Sequence, residues 1–178
     1  MALKATIFKA RLQVADMDRD YYAEHSLTLA RHPSETDERM MIRLLAFALN
    51  ASETLEFTRG LSSDDEADVW QHNLSGEIET WIEVGVPAEE RVRKACGRAG
   101  KVMIYAYGQR TAPVWWQKME AATMRFDNLQ VFFLPPEQCT ALACLAERSM
   151  ELTATIQDGQ LWLASDTQTV EIQPQRWK

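Results

Sequence analysis

The sequence predicts an α/β fold: one domain with a mixed central sheet, helices on its faces and antiparallel hairpins at both termini. Three observations carry this. Apolar residues alternate along residues 6–14 and 78–84, as on half-buried strands. A continuous apolar run, Val102-Met103-Ile104-Tyr105-Ala106-Tyr107, lies between Gly100 and Gly108, as for a central strand covered on both faces. Helical patterns fall between the later strands, and that alternation predicts parallel neighbours joined by right-handed crossovers. The chain has 178 residues, 46% hydrophobic and 25% charged, enough for one ordinary domain with a sizeable core. No repeat, linker or low-complexity stretch divides it, so residues 1–178 read as a single domain.

Taken in order, Phe8, Ala10, Leu12 and Val14 share one strand face, with Lys9, Arg11 and Gln13 on the other. Asp16-Met17-Asp18-Arg19-Asp20 breaks this strand, and a second runs from Tyr21 to about Ala30, closing a long hairpin. Ser34 then reads as the N-cap of a helix whose first turn carries Glu35 and Asp37, where carboxylates suit the helix dipole. Its apolar stripe is Met41, Ile42, Leu45 and Leu49. Leu55 to Gly60 reads as a short strand. Pro87 suits the first turn of a helix buried along Val92, Ala95, Cys96 and Ala99. Pro113 begins a further helix, Leu129 to Leu134 forms a strand, and Pro135-Pro136 starts a helix through about Glu147. Asp158-Gly159 is a strong hairpin signal between residues 150–156 and 161–164. Val170 and Ile172 suggest one more strand.

Composition narrows the function. Nineteen basic against twenty-six acidic side chains give a net charge of −7 and a pI near 5.0. Such a surface does not draw nucleic acid over long range, so any phosphate contact falls to a few Arg and Lys in a local cleft. Cys96, Cys139 and Cys144 have neither disulfide-framework nor zinc spacing, which points to a reducing cytoplasm. Met1-Ala2-Leu3-Lys4 leads straight into an alternating segment, so no signal peptide is read, and no apolar run has the length of a membrane span. Nucleotide-binding glycine motifs and the G-x-S-x-G elbow are absent.

The stretch with chemical content runs from Asp64 to Arg98. Acidic groups enter on two strand-like segments, and basic groups follow on a helix. Asp64 and Asp65 read as a solvated loop, whereas Asp68 begins the apolar step Val69-Trp70. Glu83 is the last charge before Gly85, at the carboxyl end of its strand, where ligands gather in open α/β sheets. Arg91 borders the buried stripe of the next helix and Lys94 points further from it. Glu38 shares the apolar stripe of the first helix, a costly place for an unpartnered carboxylate. Converging carboxylates beside cations can hold a divalent metal and a phosphate. The competing reading is a hairpin with solvated ion pairs, in which Glu38 pairs with Arg39 or Arg43.

Leu29-Ala30-Arg31-His32-Pro33-Ser34-Glu35-Thr36, the opening Met-Ala-Leu-Lys-Ala-Thr-Ile, and Trp81-Ile82-Glu83-Val84-Gly85-Val86-Pro87 with Arg91 and Lys94-Ala95-Cys96 resemble the bacterial YaeQ family over the whole chain. That resemblance implies a core similar to the PD-(D/E)XK nucleases, a restriction-endonuclease-like arrangement of helix, three antiparallel strands, crossover helix and further strand. It further implies Asp68 as the motif Asp, Glu83 as the acidic position and Glu38 as the helix Glu. Asp68 and Glu83 would bind Mg2+ or Mn2+, with Lys94 or Arg91 replacing the motif lysine, because Gly85 stands where that lysine belongs. Two functions follow: a divalent-metal-dependent nuclease-like protein acting on phosphodiesters, or a non-catalytic binding or regulatory protein with a degenerate site.

Overall fold

Helix α1 (Asp37–Leu49) is apolar on nearly every side, and two sheets close around it. A computed structural model describes residues 3–59 and 64–178. Along the chain, β1 (Thr6–Asp16) and β2 (Tyr21–Arg31) precede α1, and β3 (Leu55–Phe57), β4 (Val69–His72) and β5 (Ile78–Val84) follow it. Then come α2 (Glu89–Arg98), β6 (Ala99–Ala106), α3 (Thr111–Thr123), β7 (Leu129–Phe133) and α4 (Pro136–Ala143). The chain finishes with β8 (Ser149–Gln157), β9 (Gln160–Ala164), β10 (Thr169–Ile172) and β11 (Gln175–Arg176).

The architecture is single-domain α/β, but its strands divide into two sheets where the sequence predicts one. One sheet has the order β10-β9-β8-β1-β2, the other β11-β7-β6-β5-β4-β3. The two terminal hairpins are not separate flaps: β1 pairs parallel with β8 from Lys9↔Ser149 to Asp16↔Ile156. Pairing across so much sequence leaves no mark on local periodicity, which is why the split does not show in the pattern. Asp158 and Gly159 both have positive φ, 53° and 75°, as the tight Asp-Gly hairpin turn requires.

The layers follow from what each face buries. Leu12 and Leu29 of the first sheet meet Ile82 and Met103 of the second in one apolar cluster that includes α1 and Cys139 and Leu142 of α4. Nine consecutive α1 residues, Met40 to Ala48, are buried, Arg43 among them, which exceeds the single stripe expected for a surface helix. On the far face of the second sheet, Trp81, Val102, Ile104 and Val131 pack against Val92 and Ala95 of α2 and Met119 of α3. Thus β5, β6 and β7 run parallel and covered on both faces, as the apolar run 102–107 predicts. The α1 N-cap is Thr36, whose hydroxyl accepts from Arg39 N at 3.1 Å, two residues beyond Ser34. That shift frees Glu35 from the helix, so its side chain turns inward. No helix is long and apolar enough to cross a membrane among the described residues.

Candidate functional site

Asp68 stands one step before β4, and Glu83 lies near the end of β5. Val69 pairs with Ile82, and Asp68 N donates to Ile82 O at 3.0 Å, so the same register sets Asp68 across from Glu83. Both are buried, at 4% exposure. The two residues are thus neighbours across the hairpin, with Arg91 beside Glu83; Arg39 is the partner that the sequence analysis did not bring to the pair.

Asp68 Oδ2 accepts from Val84 N at 2.8 Å, and Asp68 Oδ1 accepts from Arg39 Nη2 at 2.9 Å. The same Arg39 donates to Val84 O at 3.2 Å and to Glu35 Oε1 at 3.1 Å. Glu35 is gripped in turn by Arg43, whose Nε and Nη2 reach its two oxygens at 2.7 and 2.9 Å. On the α2 side, Glu83 Oε1 accepts from Trp81 Nε1 at 2.7 Å and from Arg91 Nε at 2.9 Å. Arg91 also donates to Asp64 O and Glu66 O, tying the loop before β4 to α2. The result is a line of six charges, Arg43–Glu35–Arg39–Asp68 and Glu83–Arg91, passing over the end of β5 from the α1 layer to the α2 layer. Three carboxylates face three guanidiniums, and Arg stays protonated in such settings. Of the six carboxylate oxygens, only Glu83 Oε2 lacks a protein donor among the described residues.

One member is poorly compensated. Burial first, and the Asp68 charge second, push the Glu83 carboxyl up to about 7, against the pull of Arg91 and Trp81. Two carboxylates in one partly dry space cannot both ionise freely.

The other expected site residues lie elsewhere. Glu38 is half-buried, and its charge acts, behind the larger effect of burial, on Cys139 and on Tyr107, which also feels Arg39 and Glu35. Its pairing with Arg39 or Arg43 is not formed. Glu35 holds both arginines, because α1 starts at Asp37 and leaves Glu35 on the incoming strap. Lys94 pairs with Asp65 on the exposed surface. Asp65 is thus an ion-pair partner as well as a loop residue. Glu35, Arg39 and Arg43 went unread as site residues, though the i, i+4, i+8 spacing was a usable signal.

Whether the pair suits a divalent ion is a matter of free oxygens. Asp68 has both of its oxygens bonded to protein donors, and no third His, Cys, Asp or Glu joins the two to make a metal-holding group among the described residues. The donor set fits a cation only once Arg39 and Arg91 withdraw. Gly85 adds a second constraint. Its φ is +110°, a conformation L side chains rarely adopt, so this backbone disfavours a lysine, or any other side chain, at that position. An adjoining cleft of about 430 Å³ is lined, among the described residues, by Asp64, Ala88, Glu90, Arg91 and Lys94, two acids against two cations.

The comparisons with known proteins agree with one another. The family model described as YaeQ protein matches residues 1–174. YaeQ proteins of Escherichia coli (strain K12) and Salmonella typhi are each 49% identical over 178 residues, covering 100% of this chain and 98% of theirs. The crystal structure of YaeQ from Xanthomonas axonopodis pv. citri superposes with a TM-score of 0.95 at 48% identity, covering 98% of both chains. That from Pseudomonas syringae gives 0.93 at 34% identity, covering 98% of this chain and 96% of the other. On this ground the chain belongs to the YaeQ family.

Proposed function

We propose that this protein is a non-catalytic binding or regulatory protein on a PD-(D/E)XK-like core whose acidic pair has become part of a structural ion-pair line. The order α1, the antiparallel unit β3–β4–β5, α2 and the parallel β6 is compatible with that core, and in this reading Asp68 and Glu83 take its acidic positions. The observation that carries the reading is Asp68, both of whose oxygens are bonded, one to Arg39 and one to the Val84 amide. Gly85 supports it, since its backbone disfavours the motif lysine. The test is a panel of DNA and RNA substrates with magnesium or manganese. The reading expects no cleavage beyond background, and metal-dependent cleavage lost in Glu83→Ala overturns it.

A second reading has one observation in its favour. Asp68 raises Glu83 despite Arg91, and a divalent cation between them would relieve that repulsion. Magnesium is commonly held by one or two carboxylates together with substrate phosphates. In this nuclease-like reading Asp68 and Glu83 bind Mg2+ or Mn2+. Arg91, already at Glu83, fills the cationic role better than Lys94, which is paired with Asp65. Nucleic acid would then enter by the cleft beside Arg91.

A further inference from the structure

Helix α1 ends at Leu49, and beyond its C-cap Asn50 a cleft stands over the end of the inner face of the second sheet. Register fixes which side chains stand there. Lys101, Met103 and Tyr105 alternate along β6, and Met103 and Tyr105 lie beside Gln130 and Phe132 of β7. Arg176 of β11 lies directly opposite Phe132, so it shares that face. The first sheet supplies the other wall through the β1–β2 turn, where Arg19 sits. Together they bound a cleft of about 390 Å³, at the end of α1 away from the ion-pair line and within the size range of small-ligand sites.

The cleft has an electrostatic sign opposite to the protein as a whole. Its cations are Arg19, Lys101 and Arg176, and its acids are Asp16 and Asp18. Both acids are already used. Asp16, at 1% exposure, accepts from the amides of Asp18 and Arg19 and from Arg19 Nε at 2.6 Å. Asp18 accepts from Asp158 N and Gly159 N at 2.7 and 2.8 Å. Arg19 is held in place by Asp16 and by Ala51 O at 2.9 Å. Lys101 and Arg176 have no acidic side-chain partner among the described residues, and Arg176 uses only Nε, on Lys178 O at 3.1 Å. Lys101 and Arg176 thus line the cleft without an acidic side-chain partner, and Arg176 stands beside the Phe132 ring, which stacks on Tyr105 with centroids 5.3 Å apart at 15°. Asn50 Nδ2 donates to the Tyr105 hydroxyl at 2.8 Å, which fixes that floor.

We propose that this cleft binds a small phosphomonoester carrying a planar ring, of mononucleotide size. The phosphate would bind to Lys101 and Arg176, with Arg19 behind them, and the ring would lie against Phe132. Arg guanidinium matches phosphate geometry, and aromatic faces accept any base by stacking. The cleft shares no lining residue with the Asp68–Glu83 line, so the proposal stands whether or not that pair is catalytic.

Isothermal titration of the full chain with AMP, GMP, CMP and UMP tests it, with adenosine and inorganic phosphate as the two half-ligands. The expected result is saturable binding of at least one mononucleotide, weakened by added salt, with each half-ligand at least tenfold weaker. Lys101→Ala combined with Arg176→Ala should weaken that binding at least tenfold while leaving the melting temperature within about a degree, since both side chains are exposed. Phe132→Leu should weaken the nucleotide but not phosphate. Asp68→Asn should leave the affinity unchanged. No mononucleotide binding at millimolar concentration overturns the proposal, and so does binding that survives the double substitution or is lost in Asp68→Asn.

Discussion

Asp68 and Glu83 face each other across β4 and β5, yet each is held by an arginine from a different helix, Arg39 of α1 and Arg91 of α2. This clamps the end of β5 between two layers. It also leaves the two carboxylates unequal. Asp68 has two well-formed bonds, whereas Glu83 carries the cost of burial and of its neighbour's charge.

That inequality gives a pH dependence with a definite sign. The folded Glu83 carboxyl titrates near 7 and the unfolded one near 4.5, so between these values the folded chain binds more protons. Its contribution is therefore fully present below about pH 4.5 and is lost as pH rises through 7. Glu83→Gln keeps an oxygen for Trp81 and Arg91 but removes the charge. Urea denaturation should find the variant equal to wild type near pH 5, and more stable by about 1–3 kcal/mol near pH 8. A difference that does not change with pH contradicts this assignment.

The Glu35–Arg43 pair is the most buried part of the line, each side chain being 1% exposed. Removing one partner strands a charge. Arg43→Ala should cost about 3–5 kcal/mol, read from the denaturation midpoint. Arg43→Met with Glu35→Leu should recover much of that loss, because two apolar side chains leave no charge stranded. A double variant as weak as the single one would show that the helix packing, and not the charge, is the sensitive element.

Gly85 should resist replacement. Gly85→Ala is expected to cost about 1–2 kcal/mol from the positive φ alone, since an added Cβ meets nothing closer than Tyr107 Cε1 at 3.9 Å. Gly85→Lys should cost at least as much and produce no cleavage. A stable Gly85→Lys variant that gains metal-dependent cleavage contradicts the degenerate-site reading.

Thiol chemistry reports on the packing of α4 and α2. Cys139 is buried with its thiol pushed up to about 12, and half-buried Cys96 is pushed up to about 11, in both cases chiefly by burial. Cys144 is exposed. A thiol-reactive chromophore should label one cysteine quickly in the native protein and all three after denaturation.

Most elements were legible because each carries its own local signal. The alternation in β1, the Asp-Gly turn of β8–β9 and the apolar run of β6 are examples. The two-sheet division was not legible, because it depends on β1 meeting β8 across the length of the chain. The Asp68–Glu83 pairing was legible, since one register across a short hairpin determines it. The role of Glu35 was not. Reading the cap at Ser34 put Glu35 inside the helix, while the Thr36 cap leaves it outside and turned toward Arg43. Glu38, inside the helix, acts on Cys139 of α4 and on Tyr107.

The central claim is that Asp68 serves the ion-pair line and not a metal. Thermal melts of wild type and Asp68→Asn, each with chelator and with manganese, test it most directly. Asparagine keeps one acceptor for Arg39 but presents an amide where the Val84 N–H needs an oxygen, so the variant should lose about 1–3 kcal/mol without metal. Wild type should melt at the same temperature with and without manganese. A variant as stable as wild type or more so, beside a wild type that gains several degrees with manganese, would contradict the account and establish a metal site at Asp68 and Glu83.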